Sequence, residues 1–591
     1  MKRTAIVLLD AVSALLRDAF AAEGLDPALG RAVPSARPDL GDFQCTGAMA
    51  AAKAAKKNPQ LIAKAIVERL SGHPLLAEVT IAGPGFINLR LKNEAVAGFA
   101  DQSLNDPSGR LGMAPVATPQ TILLDFGGPN VAKALHVGHL RSAVIGESLR
   151  RILSFLGHKT ISDTHLGDWG TPMGMLLDGL RREHPEWPYF DDSITSGYPE
   201  QAPVTLADLE RLYPQAAAAC KADPARAEAA RLATLELQSG RAGYRVLWRA
   251  MVEVSLAAIR AQFARLGAHF DLYLGESDSH PEIGPMLSDL KARGLAIESQ
   301  GAQVIEVAQD SDKAPMPPLI IEKADGAALY ATTDLATIVA RVRDHQPQRI
   351  LYVVDQRQSL QLEQVFRAAA KAGYSQNVSL THVPFGTVNG PDNKPFKTRD
   401  GGVMRLTDLL DMTIRAAEQR VRGNESEDAD PAEIRAKAER IGVAALKFAD
   451  LSTDRISGYV FDPERMTAFE GKTGPYLQYA AVRAAAVLAK AGSTGEGAAI
   501  TLTAPEEREL ILSCLALPDA IAEAAQKLGP DAIADRLFLI AQAFSRFYAQ
   551  CPVASAEDPA VRASRLRLTA LVGRSLRLGL DLLGIDVPAA M

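Results

Sequence analysis

The sequence predicts an α/β protein with a doubly wound parallel sheet at its centre, a small α/β module before it and an all-helical region after it. Strand-like runs alternate with amphipathic helical patterns between about residues 115 and 410. From about residue 467 the apolar residues recur at helical spacing alone. A chain of 591 residues is also too long for a single core, so several domains are expected.

Composition and charge narrow the class of protein. With 47% hydrophobic and 23% charged residues, the chain has the composition of a globular protein. Its net charge of −6 gives no sign of an overall basic surface that would bind nucleic acid. No apolar run approaches the roughly 20 residues of a membrane span, and the apolar stretch before Asp10 is too short for a secretory signal, so a cytoplasmic location is predicted. Four scattered cysteines without a Cys-x-x-Cys pair argue against zinc and against a disulfide framework.

The first module, residues 1–110, begins with a helical pattern. One helix is predicted over residues 47–70, and one strand-like run comes after it over residues 79–91. Gly-rich turns precede or interrupt these segments, as at Gly83-Pro84-Gly85. The module is therefore expected to be a small mixed α/β domain.

The central region, residues 115–410, contains the clearest strands. They are predicted at Thr121–Phe126, Lys159–Asp163, Leu319–Glu322 and Arg349–Val354, with a helical insertion over about 180–266. Ligands collect at the carboxyl ends of the strands in such Rossmann-like sheets. Asp125, residues 165–170 and residues 355–358 fall at those ends, so the site is expected there. A polar break divides a connecting helical region, residues 411–466, and the last domain covers 467–591.

The motif His136-Val137-Gly138-His139 comes after the first of these strands and opens a helical pattern. Two imidazoles three residues apart share a helix face, beside the unpaired N–H groups and the positive dipole end of the helix. Gly138 lets a flat purine or a phosphate approach the backbone. The motif indicates a nucleotide site, with ATP as the first candidate. The alternative is that both histidines only cap or satisfy a turn.

The longer run from Asp125 to Ser142, with Pro129-Asn130 and Ala132-Lys133 ahead of the histidines, resembles the signature of class I aminoacyl-tRNA synthetases, and among them the arginyl enzymes. Gly128 departs from the family, which more often has serine there. The segments at 41–44, 83–88, 474–479 and 579–585 are also similar to that family. The resemblance implies an arginine–tRNA ligase with an N-terminal tRNA-recognition domain and an α-helical anticodon-binding domain.

The resemblance also implies how the chemistry is divided. The substrates would be ATP, with Mg²⁺ bridging its phosphates, L-arginine and tRNA(Arg), and no zinc is expected. His136, His139 and Lys133 would be catalytic, and His136, Gly138 and His139 would bind ATP. Asn393–Gly402 resembles the family's mobile signature loop, which adds Lys397, Thr398 and Arg399. Here the sequence departs from Lys-Met-Ser-Lys-Ser, because Phe396 stands at the first lysine, and Lys133 is expected to supply part of the missing charge.

A guanidinium is flat, always charged and rich in donors, so its pocket should hold more than one acid or amide at fixed angles. Tyr330 and Asp334 are four residues apart and share a helix face. By resemblance, Asp125, Tyr330 and Asp334 face the guanidinium, and Asn130 and Gln358 face the amino and carboxylate groups of the substrate.

Candidate tRNA-binding residues lie in the first and last domains. The resemblance places Phe43, Gln44 and Asn88 near the tRNA elbow, and Tyr476, Gln478 and Tyr479 are candidates in the helical domain. The stretch 561–580 carries five arginines and no acid. It is either an RNA contact or a solvated helix face.

Two other functions stay open at this point. A different class I ligase, such as the cysteinyl enzyme, would need a zinc ligand set that this sequence lacks. A non-catalytic tRNA-binding paralogue would have no reason to keep His136, His139 and Asp334 together. The resemblance further implies a monomer that activates arginine only when tRNA is bound.

Overall fold

The structure, a computed structural model, describes residues 7–324, 329–396, 404–423, 426 and 429–591. The chain divides into two compact units. One combines Met1–Val116 with Ala468–Met591, and the other is the continuous stretch Ala117–Thr467. Within the described ranges, no helix is long and apolar enough to cross a membrane.

Residues 7–116, all of them described, form a mixed α/β module. Its elements are α1 (Leu8–Ala22), β1 (Val33–Pro34), β2 (Phe43–Cys45), α2 (Gly47–Ala55), α3 (Pro59–Leu70), β3 (Leu76–Ala82), β4 (Phe86–Leu91) and α4 (Asn93–Leu104). The strands pair antiparallel in the order β1-β2-β4-β3. Helices α2 and α3 pack on this sheet and bury its apolar residues, including Ile87 and Leu89.

Two details of this module differ from the sequence prediction. The single helix predicted over 47–70 is two helices: Lys56 ends α2 in the left-handed region at φ +52°, and the Asn58 side chain caps α3 by accepting from the Gln60 N–H. Pro59 also lacks the N–H that a continuous helix would need. The single strand predicted over 79–91 is a hairpin, turned by Gly83 at φ +54° and Gly85 at φ +134°.

The unit Ala117–Thr467 is built on a parallel sheet, as the sequence predicts. Over the described part of this range the sheet has the order β11-β10-β5-β6. The elements in chain order are β5 (Thr121–Phe126), α5 (Val137–Phe155), β6 (Lys159–Asp163), α6 (Thr171–Glu183), α7 (Leu206–Ala222), α8 (Pro224–Gln238), α9 (Ala242–Arg265), α10 (Glu276–Ala292), β7 (Ile297–Ser299), β8 (Ala302–Ile305), β9 (Leu319–Glu322), α11 (Tyr330–His345), β10 (Arg349–Val353), α12 (Ser359–Ala372), β11 (Ser379–His382), β12 (Val388–Asn389), α13 (Leu406–Arg422), α14 (Pro431–Leu451), β13 (Tyr459–Val460) and α15 (Pro463–Met466).

Strand β9 corrects one expectation. The sequence places it in the parallel sheet, but it pairs antiparallel with β8, which pairs with β7 in a separate sheet. Its side chains alternate between buried and open positions, with Ile320 exposed. This alternation is typical of an antiparallel sheet with one solvated face, whereas β5 and β10 are buried almost throughout.

Residues 468–591, which are all described, are helical, and the prediction of an all-helical last domain is confirmed. The helices are α16 (Gly474–Ala491), α17 (Pro505–Leu515), α18 (Leu517–Lys527), α19 (Asp531–Gln550) and α20 (Pro559–Leu582). Apolar side chains such as Leu477, Ile540 and Phe544 are fully buried among them. Arg508 of α17 binds both carboxylate oxygens of Asp42 at 2.8 Å, which ties the two segments of this unit together.

Candidate active site

A cavity of about 500 Å³ opens at the carboxyl end of the parallel sheet. It is lined by the ends of β5 and β10, the loop after β6, and the first turns of α5, α10 and α11. The structure brings together here eight residues that the sequence assigns to ATP or to arginine: Asp125, Asn130, His136, Gly138, His139, Tyr330, Asp334 and Gln358. They come from separate stretches of the chain, which meet because parallel strands end at the same edge.

The two histidines of the motif are held by the backbone. The Gly138 N–H donates to His136 Nδ1 at 3.1 Å, and the His136 N–H donates to His139 Nδ1 at 2.9 Å. An Nδ1 atom that accepts a hydrogen bond carries no proton, so each neutral ring has its proton on Nε2. A Cβ at position 138 would lie 3.0 Å from His136 Cε1, so glycine also makes room for this ring.

The predicted unpaired N–H groups at the start of α5 are not there. Besides the Gly138 N–H, the Val137 N–H donates to Met404 O at 3.0 Å and the His139 N–H to His136 O at 2.9 Å. An anion at this helix end would therefore meet the imidazole Nε2–H groups, with the helix dipole behind them. The histidines do cap the helix, as in the alternative interpretation, but the caps use Nδ1 and not Nε2. The His139 ring also interacts with the Gly128 backbone.

Both imidazoles are neutral near pH 7. Burial lowers the pKa of His139 to about 3, and the charge of His136 adds to this effect. Burial also lowers the pKa of His136, helped by the cations of Arg357 and Lys133. The histidines can thus donate hydrogen bonds to phosphate oxygens, while the positive charge must come from lysine and arginine side chains.

Lys133 does not line the cavity. Its Nζ lies 4.5 Å from the centre of the Tyr213 ring on α7, a cation–π contact. Lys397, Thr398 and Arg399 lie outside the described residues. Farther along the chain, the Leu406 N–H donates to Leu135 O, and Arg405 forms a β-bridge with His136. The segment just after the predicted signature loop is therefore joined to the histidine motif by backbone hydrogen bonds.

Tyr330 and Asp334 stand on α11 as predicted. Gln361 Nε2 donates to Asp334 Oδ2 at 2.7 Å and fixes the carboxylate. Burial raises the pKa of Asp334 to about 6, against this hydrogen bond, and the charge of Asp125 adds to the rise. Tyr330 is 63% exposed, so it lies at the mouth of the cavity.

Glu276 is an acid of the cavity that the sequence does not reveal. It lines the cavity at the first turn of α10, and both its Oε2 and the Tyr330 hydroxyl lie 3.9 Å from where a Cβ of Gly170 would stand. Burial raises its pKa to about 7, with further contributions from Asp168 and Asp334. In the sequence, Glu276-Ser277-Asp278 has the form of an ordinary acidic first turn of a helix, which is why no signal distinguishes it.

The assignment of Asp125 to the substrate's guanidinium stays a prediction, and Asp125 already has a partner within the chain. Asp125 lines the cavity, but its Oδ2 lies 2.7 Å from Nη1 of Arg341, a guanidinium of the chain itself. Arg341 also donates to Asp163 Oδ2 at 2.7 Å. Arg341 thus divides one positive charge between two carboxylates, and Glu276 and Asp334 are further acids that the cavity presents to a cationic ligand.

Asn130 and Gln358 both line the cavity, as the sequence predicts. Asn130 forms a β-bridge with Gly167, where an added Cβ would stand 2.3 Å from Asn130 Oδ1 and would displace the Asn130 amide. Gln358 is exposed just before α12. Trp169 does not line the cavity. It packs into the core of the helical insertion, against Trp248.

The tRNA candidates divide by burial. Phe43, Asn88 and Gln478 are buried at 7%, 1% and 0% exposure, so the expectation that they face RNA is wrong for this structure. Gln478 Nε2 donates to Asp586 O at 2.6 Å, which is a structural role. The other three candidates, Gln44, Tyr476 and Tyr479, are accessible at least in part.

The arginine-rich helix α20 mainly makes intramolecular contacts. Arg565 binds Glu507 at 2.7 Å, Arg567 binds Asp101 at 2.7 Å, and Arg574 donates to Leu104 O. The remaining two of the five arginines, Arg562 and Arg577, are exposed. This charge run therefore serves chiefly to hold α20 within its own unit.

The parallel sheet, the histidine pair at a helix start and the acid-lined cavity define a class I aminoacyl-tRNA synthetase. Family models agree: "tRNA synthetases class I (R), catalytic domain" matches residues 108–463, "Arginyl tRNA synthetase N terminal domain" matches 7–91, and "DALR anticodon binding domain" matches 477–591. The chain belongs to the arginyl-tRNA synthetase family.

Full-length relatives and solved structures are similar to the chain. It is 49% identical to the arginine–tRNA ligase of Maricaulis maris, covering 98% of this chain and 99% of the relative. It is 48% identical to that of Hyphomonas neptunium over the same shares. The arginyl-tRNA synthetase structure of Plasmodium falciparum superposes with a TM-score of 0.82 at 23% identity and 100% coverage of both chains. That of Thermus thermophilus has a TM-score of 0.78 at 24% identity, with 99% and 100% coverage, and these two show the shared fold.

Proposed function

We propose that the chain ligates L-arginine to the 3′-terminal adenosine of tRNA(Arg) and converts ATP to AMP and pyrophosphate. The observation that carries the proposal is one cavity lined by two imidazoles at the start of a helix and by two partly buried acids, Glu276 and Asp334, for a cation. Family membership favours the same activity. We also propose that the N-terminal domain ends near residue 110, the catalytic domain near residue 410 and the connecting helical region near residue 466.

In the first step, an oxygen of the arginine carboxylate attacks the α-phosphorus of ATP. The bond from that phosphorus to the bridging oxygen breaks, and pyrophosphate leaves. Catalysis is then placement plus neutralisation of developing charge. His136 and His139 donate from Nε2 to phosphate oxygens, Gly138 leaves room for their rings, and Lys133 and the predicted loop residues Lys397, Thr398 and Arg399 add charge and a hydroxyl.

Mg²⁺ enters as part of the substrate, MgATP. It keeps several waters and binds mainly through phosphates, so it needs no cage of protein ligands. Within the part of the chain that the structure describes, no group of three histidine, cysteine or carboxylate side chains is placed to hold a metal ion. The donor set of the cavity is consistent with a metal brought by the nucleotide.

The amino acid is held at the other end of the cavity. Glu276 and Asp334 bind its guanidinium beside the Tyr330 hydroxyl, and Asn130 and Gln358 hold its amino and carboxylate groups. In the second step the terminal 2′-hydroxyl of tRNA attacks the carbonyl carbon of arginyl-adenylate, and AMP leaves. No group of the chain needs to form a covalent intermediate.

The acids also account for selection of arginine. The ammonium of lysine can pair with one of the two carboxylates but does not match both at fixed angles. Citrulline carries no charge, so it leaves an acid of the cavity without a cation, at a cost of about 2–5 kcal/mol. Discrimination of that size can come from binding alone, without an editing domain. Recognition of the flat cation is therefore the step that decides specificity.

For tRNA, the accessible candidates are Gln44 in the first module and Tyr476 and Tyr479 in α16. The Arg483 guanidinium stacks on Tyr479 at 4.4 Å and donates to its hydroxyl at 2.8 Å, which holds this ring in place on an exposed face. An aromatic ring backed by arginine suits stacking with an unpaired base. We also propose that the enzyme acts as a monomer in the cytoplasm.

The test is charging of total tRNA with each of the twenty amino acids. The proposal predicts that only arginine is attached, and that exchange of pyrophosphate into ATP stays near background until tRNA is added. Charging with cysteine would indicate a different ligase, and tRNA binding without any charging would indicate a non-catalytic paralogue. Light scattering of the free enzyme tests the monomer.

A further inference from the structure

A guanidinium of the chain itself lines the same cavity as the proposed arginine site. Arg341 is 2% exposed and lies on α11, seven residues after Asp334. Its Nη1 stands 2.7 Å from Asp125 Oδ2 on β5, and its Nη2 donates to Asp163 Oδ2 at 2.7 Å, at the end of β6. One side chain thus joins the helix of Tyr330 and Asp334 to two neighbouring strands.

Asp163 extends this link to the element that carries Glu276. Its second oxygen, Oδ1, accepts from the Leu274 N–H at 3.2 Å, two residues before Glu276. The Glu276 N–H in turn donates to Leu166 O at 3.0 Å, three residues after Asp163. The fully buried Asp163 carboxylate therefore connects α11, through Arg341, with the first turn of α10.

We infer that Arg341 is a positioning residue, which sets the separation of Asp334 and Glu276 and so the fit of the cavity to a guanidinium. This inference rests on the proposed function. A guanidinium is a rigid planar fork, so a small shift between the two acids lowers complementarity to arginine more than to a flexible ammonium. A fork at position 341 is also required, because a lysine there could reach only one of the two carboxylates.

Arg341 has an electrostatic effect as well. The titratable or polar groups that face it are Asp125 from β5, Asp163 from β6, His165 from the next loop, Tyr352 from β10 and Asp334 from its own helix. Its permanent charge lowers the pKa of Asp334, against the effect of burial. Loss of this charge should therefore move the protonation of Asp334 to higher pH.

The experiment uses the full-length variants R341K and R341M in the tRNA-dependent pyrophosphate exchange assay. Active-site titration gives the fraction of competent enzyme, and KM for arginine, KM for ATP and kcat are measured from pH 6 to 8.5. For R341M we expect kcat/KM for arginine to fall by about 100-fold, with little change in KM for ATP. R341K should lie between R341M and the wild type. The matched control is R343Q on the same helix, since Arg343 is exposed and pairs at the surface.

The pH profile separates positioning from a purely structural role. In R341M the rise of the arginine KM at low pH should begin at a higher pH than in the wild type. A structural role alone would lower the competent fraction and the melting temperature but leave both KM values and the profile unchanged, and that result would overturn the inference. If R341M does not fold, R341K decides by the KM values alone, because lysine keeps the charge: a raised KM for arginine with an unchanged KM for ATP supports positioning, and unchanged KM values overturn it. A wild-type enzyme that does not activate arginine would instead contradict the proposed function.

Discussion

Replacement of Glu276 by glutamine removes one charge from the proposed guanidinium site and leaves its shape almost unchanged. The carboxylate lines the cavity near the Tyr330 hydroxyl, both close to Gly170. A hydrogen bond between charged groups in a buried site contributes about 2–3 kcal/mol, which corresponds to a loss of about 30- to 150-fold in arginine affinity. KM for MgATP should stay near its wild-type value, because the histidine motif is untouched.

The pH dependence gives the same variant a second, sharper readout. Burial raises the pKa of Glu276 to about 7 and that of Asp334 to about 6. Arginine needs both acids ionised, so its KM should fall as pH rises. Between pH 8 and pH 6, Glu276 alone should change the arginine KM by about tenfold, and Asp334 by about twofold more. In E276Q the arginine KM should change only by the roughly twofold factor that comes from Asp334.

The assay is pyrophosphate exchange with saturating MgATP and tRNA(Arg), with arginine varied at each pH. A matched control is E282Q, on the same helix, whose acid pairs with Arg343 away from the cavity. The control should behave as the wild type. An arginine KM for E276Q that equals the wild-type value, or a wild-type pH slope in this variant, would refute the assignment.

The same geometry gives three further predictions. Asp334→Asn should raise the arginine KM by about 10- to 100-fold with KM for ATP little changed, and an unchanged arginine dependence in the exchange assay would contradict this. His139→Ala should lower kcat by about 100-fold without a new pH dependence between 6 and 8, since the pKa of His139 is about 3. A wild-type titration step near pH 7 in kcat at saturating arginine that His139→Ala abolishes would count against a neutral donor. Glu276 has a raised pKa, so its stabilising contribution is complete below about pH 4.5 and is lost as pH rises through about 7. E276Q should therefore raise the free energy of unfolding at pH 8 by up to about 3 kcal/mol, measured by urea denaturation. An unchanged free energy of unfolding at pH 8 would argue that the pKa of Glu276 is not raised.

Local sequence patterns correctly predict the strand and the helix that carry the histidine motif. The buried run at Thr121–Phe126 and the apolar stripe behind His139 predict strand β5 and helix α5, because period and burial are local properties of a sequence. The histidines and Asp334 stand out because they belong to a recognisable motif or helix face. The single-helix prediction over 47–70 is wrong at Asn58-Pro59, a capping signal that the helical periodicity on both sides obscures.

The features that the sequence does not predict depend on pairs that are distant in the chain. Asp125 and Asp334 are the same residue type, and only the fold reveals that Arg341 forms an ion pair with the first whereas Gln361 donates to the second. The start of α5 likewise has its Val137 N–H bonded to Met404, which no local pattern anticipates. Glu276 has the sequence context of a helix-start acid and becomes a site residue only through its burial near Tyr330.

A crystal structure of the protein with L-arginine and a non-hydrolysable ATP analogue would show directly which side chains hold the guanidinium and the phosphates. The guanidinium is expected within about 3 Å of carboxylate oxygens of Glu276 and Asp334, with phosphate oxygens at the Nε2 atoms of His136 and His139. Arginine bound against Asp125 with Glu276 uninvolved, or phosphates that do not contact either imidazole, would contradict these assignments.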